Sequence, residues 1–476
     1  MTLDENEEHS LVKCLKNKIN PKNFCMHLSL SKIFCSSSKD ALIYMDSWFL
    51  MISETDNFLQ LPVDLLEEIL SRSSLLVTTE IEVYHVVNKW INYNFKERQK
   101  FAKRLLNKIR LPLLGENTLK TIVAENSCFR KNKESLAVVN DILNGNFGFY
   151  MNKPSKFLTA RYCGHDSFDI LYFGGKGKSF QVTDDRILQI KHSDQFSSLE
   201  TASSLTKKRY NSSVAYLRGN VYIFGGFDLT IGWRQLVVKE VEMYSHLTKT
   251  CKVVANVEDV NDKNLVNYAV CGFMDKIYLI GGTDNEGLEK DSCIEFDTKG
   301  YSWKHKSKMI EKRESPDACV FEEKIIVSGG MRYTGGFVNF VNNYDDYLSQ
   351  TLKTVEAYDP INDSWTEFAA MNYSRCNHKS VVVKNKLFVI AGGTDINEIY
   401  DSASKKFTVL KPSFSLYDIR ERYPLAAFSI GHKLFVYFSH CSRIFCFDTT
   451  KGKWHEKACE PTKQPYLFSA TQVPRL

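Results

Sequence analysis

Two hydrophobic periods divide the chain. From Thr79 the run TTEIEVYHVVNKWI places Val83, Tyr84, Val87, Trp90 and Ile91 on one face at helical spacing, with Glu82 three residues after the threonine in a capping-box arrangement. Leu61 to Leu70 (LPVDLLEEIL) has proline near its first turn and a stripe of Leu65, Leu66, Ile69 and Leu70. Short polar joints at Ser71 to Ser74 and Gly115 to Asn117 separate such runs, and segments 11–19, 24–35 and 39–52 can also form helices. The first 145 or so residues therefore predict an α-bundle or α-solenoid. After Asn144-Gly145-Asn146-Phe147-Gly148, short β-branched and aromatic runs alternate with turn residues, the pattern of an all-β unit. Residues 144–156 make the linker.

Within the second part an apolar run ending in a glycine pair recurs five times, at Gly174-Gly175, Gly225-Gly226, Gly281-Gly282, Gly329-Gly330 and Gly392-Gly393. A sixth run, Leu434 to Ser439, keeps the strand without the glycines. An aspartate precedes an aromatic by six residues in Asp297/Trp303, Asp359/Trp365, Asp401/Phe407 and Asp448/Trp454, and the second unit sets Cys251 where the tryptophan would stand. Glu242, Glu356 and Glu398 lie three residues before that aspartate or its replacement. Arg209, Arg313, Arg375 and Arg422 lie 16 or 17 residues before the first glycine or its equivalent, and Met309 and Met371 stand four residues ahead of their arginine. Each unit reads as a four-stranded antiparallel sheet, and since such a sheet alone leaves its faces uncovered, six stack radially about an axis. The glycine pair fits crowded strand ends, the tryptophan the widening gap between sheets, and the aspartate a hairpin corner capping local N–H groups.

Composition narrows the chemistry. The net charge of +6 over 476 residues is mild, giving no nucleic-acid signature. The acidic, polar start MTLDENEEHS excludes a secretory signal there, and no run approaches the roughly 18 apolar residues of a membrane span. Thirteen scattered cysteines include no CxxC pair, and the histidines of the second part form no HxH or HxxxH pair, so zinc, a disulfide framework and a metalloenzyme are not expected. No cofactor is expected, and free thiols suit a reducing compartment.

The glycine doublets, Tyr-Asp pairs and spaced tryptophans resemble the kelch repeat, and the helical part resembles the BACK domain of BTB-BACK-kelch (kelch-like) proteins. The matching positions there are Asn23 in NPKNF, Phe58 to Pro62, Glu80 to Trp90 and Arg110 to Leu114. The resemblance implies a polar tail at 1–10, an all-α BACK domain at 11–143, the linker at 144–156 and an all-β six-bladed kelch propeller at 157–476. In such propellers a C-terminal strand closes the ring on the first blade, and PYLFSATQVPRL suits that strand. It further implies a non-catalytic substrate adaptor of a cullin-3 ubiquitin ligase, cytoplasmic, with the propeller holding the substrate protein. Residues 11–50 resemble the helices after the BTB domain that help form the cullin groove. This sequence holds no BTB stretch before them, so weakened cullin docking and a monomer are the expectations. An actin-binding scaffold and a ligase-independent substrate binder are the alternatives.

Partner contacts are expected at one propeller mouth. In related propellers the residues around the repeated arginine contact acidic peptides, which by position makes Arg209, Asn211, Arg313, Ser315, Arg375, Asn377 and Arg422 candidates. The other role for these arginines is to tie loops together by bonding to backbone carbonyls. The long insert MRYTGGFVNFVNNYDDYLSQ adds Tyr333, Phe337 and Tyr344, and Trp233 stands outside the repeat in a smaller insert.

Overall fold

The computed structural model describes residues 24, 39–125, 133–144, 161, 168–176, 183–191, 199–229, 235–257, 265–284, 286–332, 351–411, 424–438, 443–458 and 469–474. Two compact units are present, Met1–His165 and Asp166–Val473. The expected helices at 11–19 and, beyond Phe24, at 24–35 lie outside the described residues, as do the terminal tail and all but the first residue of the linker.

The first unit is helical. Its helices include Lys39–Ile52, Val63–Leu70, Glu80–Tyr93, Glu116–Glu125 and Lys133–Leu143. One half of the capping box forms: the Glu82 carboxylate reaches back to the N–H groups of Thr78 and Thr79, while the Glu82 N–H donates to the Thr79 carbonyl. Both apolar stripes are buried, and the Trp90 indole donates to the Leu61 carbonyl at 3.1 Å. Arg161 is buried in the same unit, paired with Glu80 at 2.7 Å and donating to the carbonyls of Leu70 and Lys108.

The second unit is a six-bladed propeller of four-stranded antiparallel sheets. Blade 1 is assembled from both ends of the unit, Ser469–Pro474 lying beside Phe168–Lys176, then Thr183–Lys191 and Leu199–Ser204. The expected closing strand is thus present. Every later blade is a consecutive meander; blade 4, for example, runs Asp317–Phe321, Lys324–Ser328, Val355–Asp359 and Ser364–Glu367. The first strands of blades 2 to 6 begin at Ser213, Ala269, Asp317, Lys379 and Ala426, and each lies against the next around the axis. An additional hairpin, Phe227–Leu229 with Gln235–Val237, rises from blade 2.

Apolar side chains fill the seams between blades. Trp303 of blade 3 packs on Phe296 at a tilt of 47° with centroids 4.5 Å apart and meets Phe224 of blade 2 edge-on at 6.3 Å. Offset and edge-on geometries suit the ring quadrupoles and add to the area buried. Cys251 takes the equivalent place in blade 2, opposite Tyr244, and donates to the Glu242 carboxylate. The repeated aspartates cap hairpin corners: Asp297 Oδ1 accepts from the N–H of Lys299 and Gly300, and Asp359 Oδ1 from Ile361 and Asn362.

The glycine pairs answer close backbone approaches as well as positive φ. A Cβ on Gly281 (φ +69°) would stand 2.6 Å from the Arg313 carbonyl of the next blade, and one on Gly330 (φ +98°) 2.7 Å from the Glu314 carbonyl of its own. Blade 5 corrects the sequence register. Ala391 occupies the first position, with φ +56°, and Gly392 the second, so the arginine spacing is uniformly 16 residues where both ends are described. Gly281→Ala should therefore cost roughly 3 kcal/mol or more. Gly287→Ala, at φ +76° with nothing within 4 Å, isolates the backbone cost of about 1 kcal/mol. Urea unfolding of the two variants against the parent checks the difference.

Candidate functional site

Where each outer strand leads into the next blade, the loop is held by a repeated buried ion pair. Arg209, Arg313 and Arg375 have no exposed surface and pair with Glu242, Glu356 and Glu398 at 2.5, 2.8 and 2.6 Å. Each guanidinium also donates to the carbonyl at the first glycine position, Gly225, Gly329 or Ala391. A second carbonyl, of Glu240, Thr354 or Ile396, takes another bond. Each carboxylate takes two backbone N–H groups from its loop: Thr206 and Lys207, Ile310 and Glu311, or Asn372 and Tyr373. The arginine carbonyl then accepts from the second glycine of the preceding blade, as Gly282 N–H to Arg313 at 2.8 Å and Gly330 N–H to Arg375 at 2.9 Å. One residue thereby ties its loop, its own sheet and the neighbouring sheet.

This corrects the expectation that Arg209, Arg313 and Arg375 touch a partner. Their terminal guanidinium nitrogens bond inside the fold, and removing such a group from its carboxylate would leave a charge buried alone. Sequence already held the signal, because the glutamates recur in the same repeats as the arginines. Blade 3 makes the point in reverse: Leu265 and Ile294 stand at the two positions, buried in one apolar cluster.

Two residues beyond each arginine position the chain turns into the left-handed region. Asn211 (φ 54°), Asn267 (φ 57°), Ser315 (φ 49°) and Asn377 (φ 48°) form an arc on successive blades. Asparagine tolerates this conformation better than most residues. The Ser315 N–H donates to the Asn267 carbonyl at 2.9 Å, the Asn377 N–H to the Ser315 carbonyl at 3.2 Å, and Asn267 Nδ2 to Glu314 at 2.9 Å. The arc lines the mouth of an axial cavity of about 590 Å³, with Asp317, His378, Lys379 and Ser380 among its walls. Sequence reasoning missed Asn267 because its blade lacks the arginine that marks the position. Trp233, Tyr333, Phe337, Tyr344 and Arg422 lie outside the described residues.

Within the cavity wall His378 bonds Ser328 Oγ at 2.7 Å, and Ser328 bonds Ser380 Oγ at 2.9 Å. Burial, reinforced by Arg375, Lys379 and Arg313, holds the His378 imidazole well below its usual range. Burial raises the Asp317 carboxyl against the opposing pull of Lys379, 3.4 Å away. Among the described residues, no His, Cys, Asp and Glu group of three or more could hold a metal ion.

Arg313→Leu should cost about 3–5 kcal/mol by stranding Glu356. Arg313→Leu with Glu356→Leu, which imitates the apolar pair of blade 3, should lose less than the single variant in denaturant unfolding. Acid should act through His378. The unfolded chain takes up the proton near pH 6.5 while the folded imidazole resists it, so stability falls as pH drops below about 6.5, by up to about 1.4 kcal/mol per pH unit. Asp317 works the other way, its contribution being present at low pH and lost as pH rises through its elevated folded pKa. Unfolding curves of the parent and His378→Gln between pH 5 and 7 should converge toward the acid end.

Family comparisons agree with this architecture. Residues 24–124 match the BACK family (BTB And C-terminal Kelch), and residues 158–393 match the KLHDC2/KLHL20/DRC7 Kelch-repeats domain. The chain is 27% identical to Kelch-like protein 7 of Rattus norvegicus over 413 residues, covering 84% of this chain and 65% of the relative. It is 24% identical to Kelch-like protein 28 of Mus musculus over 266 residues, covering 55% and 43%. Kelch-like protein 25 of Rattus norvegicus is 22% identical over 400 residues, covering 82% and 55%. The chain thus spans less than two thirds of the length of the relatives it matches. It pairs a BACK domain in its helical unit with kelch repeats in its propeller, and the relatives it resembles are kelch-like proteins.

Proposed function

We propose that this chain is a non-catalytic protein-binding module whose propeller holds a substrate protein at the mouth built by the loops between blades. The observation that carries this reading is the arc of Asn211, Asn267, Ser315 and Asn377 around an open axial cavity of about 590 Å³. Asn211, Ser315 and Asn377 are presented there by loops that buried arginine–glutamate pairs hold, and Asn267 by a loop over an apolar pair. A pre-ordered surface loses little entropy on binding, which favours recognition over catalysis. Met331, which lines the cavity, bridges both Glu314 and Thr351.

The family points to substrate receipt for a cullin-3 ubiquitin ligase as the setting, in the cytoplasm. No helix among the described residues is long and apolar enough to cross a membrane. In this reading the chain's own part is selection of the substrate, and the repeated arginines act only by holding the mouth in shape.

Ser315→Arg with Asn377→Arg places two long side chains across the mouth at positions whose side chains reach solvent. Proteins captured from cells by the parent chain, quantified by mass spectrometry, should be lost from the variant while its melting temperature stays within about 3 °C. Retention of the same captured set by the folded variant would overturn the placement of the site.

A further inference from the structure

The face opposite the mouth is made of corner turns, one joining the first strand of a blade to the second and one joining the third to the fourth. At the second corner the repeated aspartate, or the serine in its place in blade 2, faces the opening residue of the outer strand. That residue carries a hydroxyl in blades 2, 3 and 4, where Thr250 lies opposite Ser245, Ser302 opposite Asp297 and Ser364 opposite Asp359. In blades 5 and 6 it is a lysine, Lys406 lying opposite Asp401 and Lys453 opposite Asp448. Blade 5 adds exposed Lys384 and Lys386 at its first corner and exposed Lys405 at its second. Blade 6 adds half-buried Lys433 and exposed Lys451.

The carboxylates of these two blades answer few of the lysines. Asp401 accepts from the N–H groups of Ala403 and Ser404 and from the Ser404 hydroxyl. Asp448 accepts from the N–H groups of Thr450 and Lys451 and lies 3.6 Å from His432 and 4.0 Å from the Lys451 ammonium. Among the described residues, Lys386, Lys405, Lys406, Lys433 and Lys453 form no ion pair. Exposed Glu456 lies further up the outer strand of blade 6, toward the mouth. The same corners read differently elsewhere. Blade 3 pairs its charges, Lys276 with Asp297 and Lys299 with Asp275, each at 2.7 Å. Blade 4 is acidic, with Glu322, Glu323, Asp359 and Asp363 against Lys324. Blade 2 carries Arg218 and Lys249, and the corresponding turn of blade 1 lies outside the described residues. The mild net charge of the chain conceals the cationic sector because it averages over all of these.

Three features select the partner. Lysines that outnumber their carboxylates gain most from a polyanion that releases its own counterions on contact. Among the described residues no large exposed apolar side chain lies on the corners of blades 5 and 6, so the apolar centre of a protein interface is missing. A planar anionic bilayer would also meet the carboxylates of blade 4, whereas a narrow strand can stay on blades 5 and 6. We propose that the far face of blades 5 and 6 binds the phosphate backbone of a nucleic acid without reading its bases. Lysine acts there as a point charge on a flexible stem, and no exposed tyrosine, phenylalanine or tryptophan on these corners offers a platform for stacking. The surface is separate from the mouth, and the inference does not rest on the mouth being a partner site.

The test is fluorescence anisotropy of labelled oligouridine and oligothymidine of about 20 nucleotides, titrated with the purified full chain. Both should bind with a dissociation constant on the order of 1–100 μM at low salt, within about threefold of each other. With about five lysines engaged, log affinity should fall against log salt with a slope of about −3.5. Lys406→Gln with Lys453→Gln should weaken binding about tenfold at low salt and bring the slope to about −2. Lys406→Arg with Lys453→Arg should keep the parent affinity. Lys208→Gln with Lys312→Gln, the same charge change at the mouth, should leave affinity and slope as they are. Equal weakening by the mouth pair would reduce the effect to net charge and overturn the site. Absence of binding to both strands at low salt, or about a tenfold preference for one of them, would overturn the backbone reading. So would vesicles of phosphatidylserine and phosphatidylcholine held through Lys406 and Lys453 while neither strand binds.

Discussion

A guanidinium buried without exposed surface is costly unless its charge is answered, and the propeller answers it with a glutamate and two carbonyls in three blades. The arginine faces a glutamate from its own blade, two carbonyls of its own sheet and, through its backbone oxygen, an N–H of the blade before. Because each of these partners belongs to a different segment, the pair cannot form until the strand end, the loop and the neighbouring sheet are all in place. The rest follows from that closure. Gly174, Gly281 and Gly329 are glycine because the arginine carbonyl of the next blade comes too near for a Cβ. The loops present fixed side chains because the glutamate has taken their N–H groups.

Desolvation alone would favour an apolar pair at these positions, and blade 3 has one in Leu265 and Ile294. An ion pair adds direction. A leucine packs in any orientation that fills its space, whereas a guanidinium bonded to a carboxylate and two carbonyls fixes the loop's register and angle. Three blades use the directional solution, and the exposed Ile310 and Tyr373 sit on loops so held. Structural rigidity below and exposed side chains above are thus two sides of the same few loops.

Most of the propeller was legible from the chain. Glycine doublets, aspartate corners and spaced tryptophans each report a local requirement, namely positive φ, a hairpin cap or a wedge between sheets, and local requirements repeat with the sequence. The closing strand near the C-terminus was legible for the same reason, as a strand left without a blade. The site was less so. Arg209, Arg313 and Arg375 look alike in sequence whether their side chains point to solvent or to a glutamate. The distinction lies in partners 33, 43 and 23 residues away. Asn267 was invisible because its blade had dropped the marker arginine, although its backbone keeps the same left-handed turn as its counterparts.

Sequence by itself determined the helical unit, the number of blades and the place of each turn, since these depend on periodicity and on the conformations single residues tolerate. Only the tertiary structure decided which way the arginines face and that Ala391, not Gly392, occupies the first crowded position of blade 5. It also decided which polar residues ring the axial cavity. Those outcomes depend on how closely backbones of different blades approach one another and on where buried charge finds its counter-charge. Both are distances across the fold that no spacing along one chain can express.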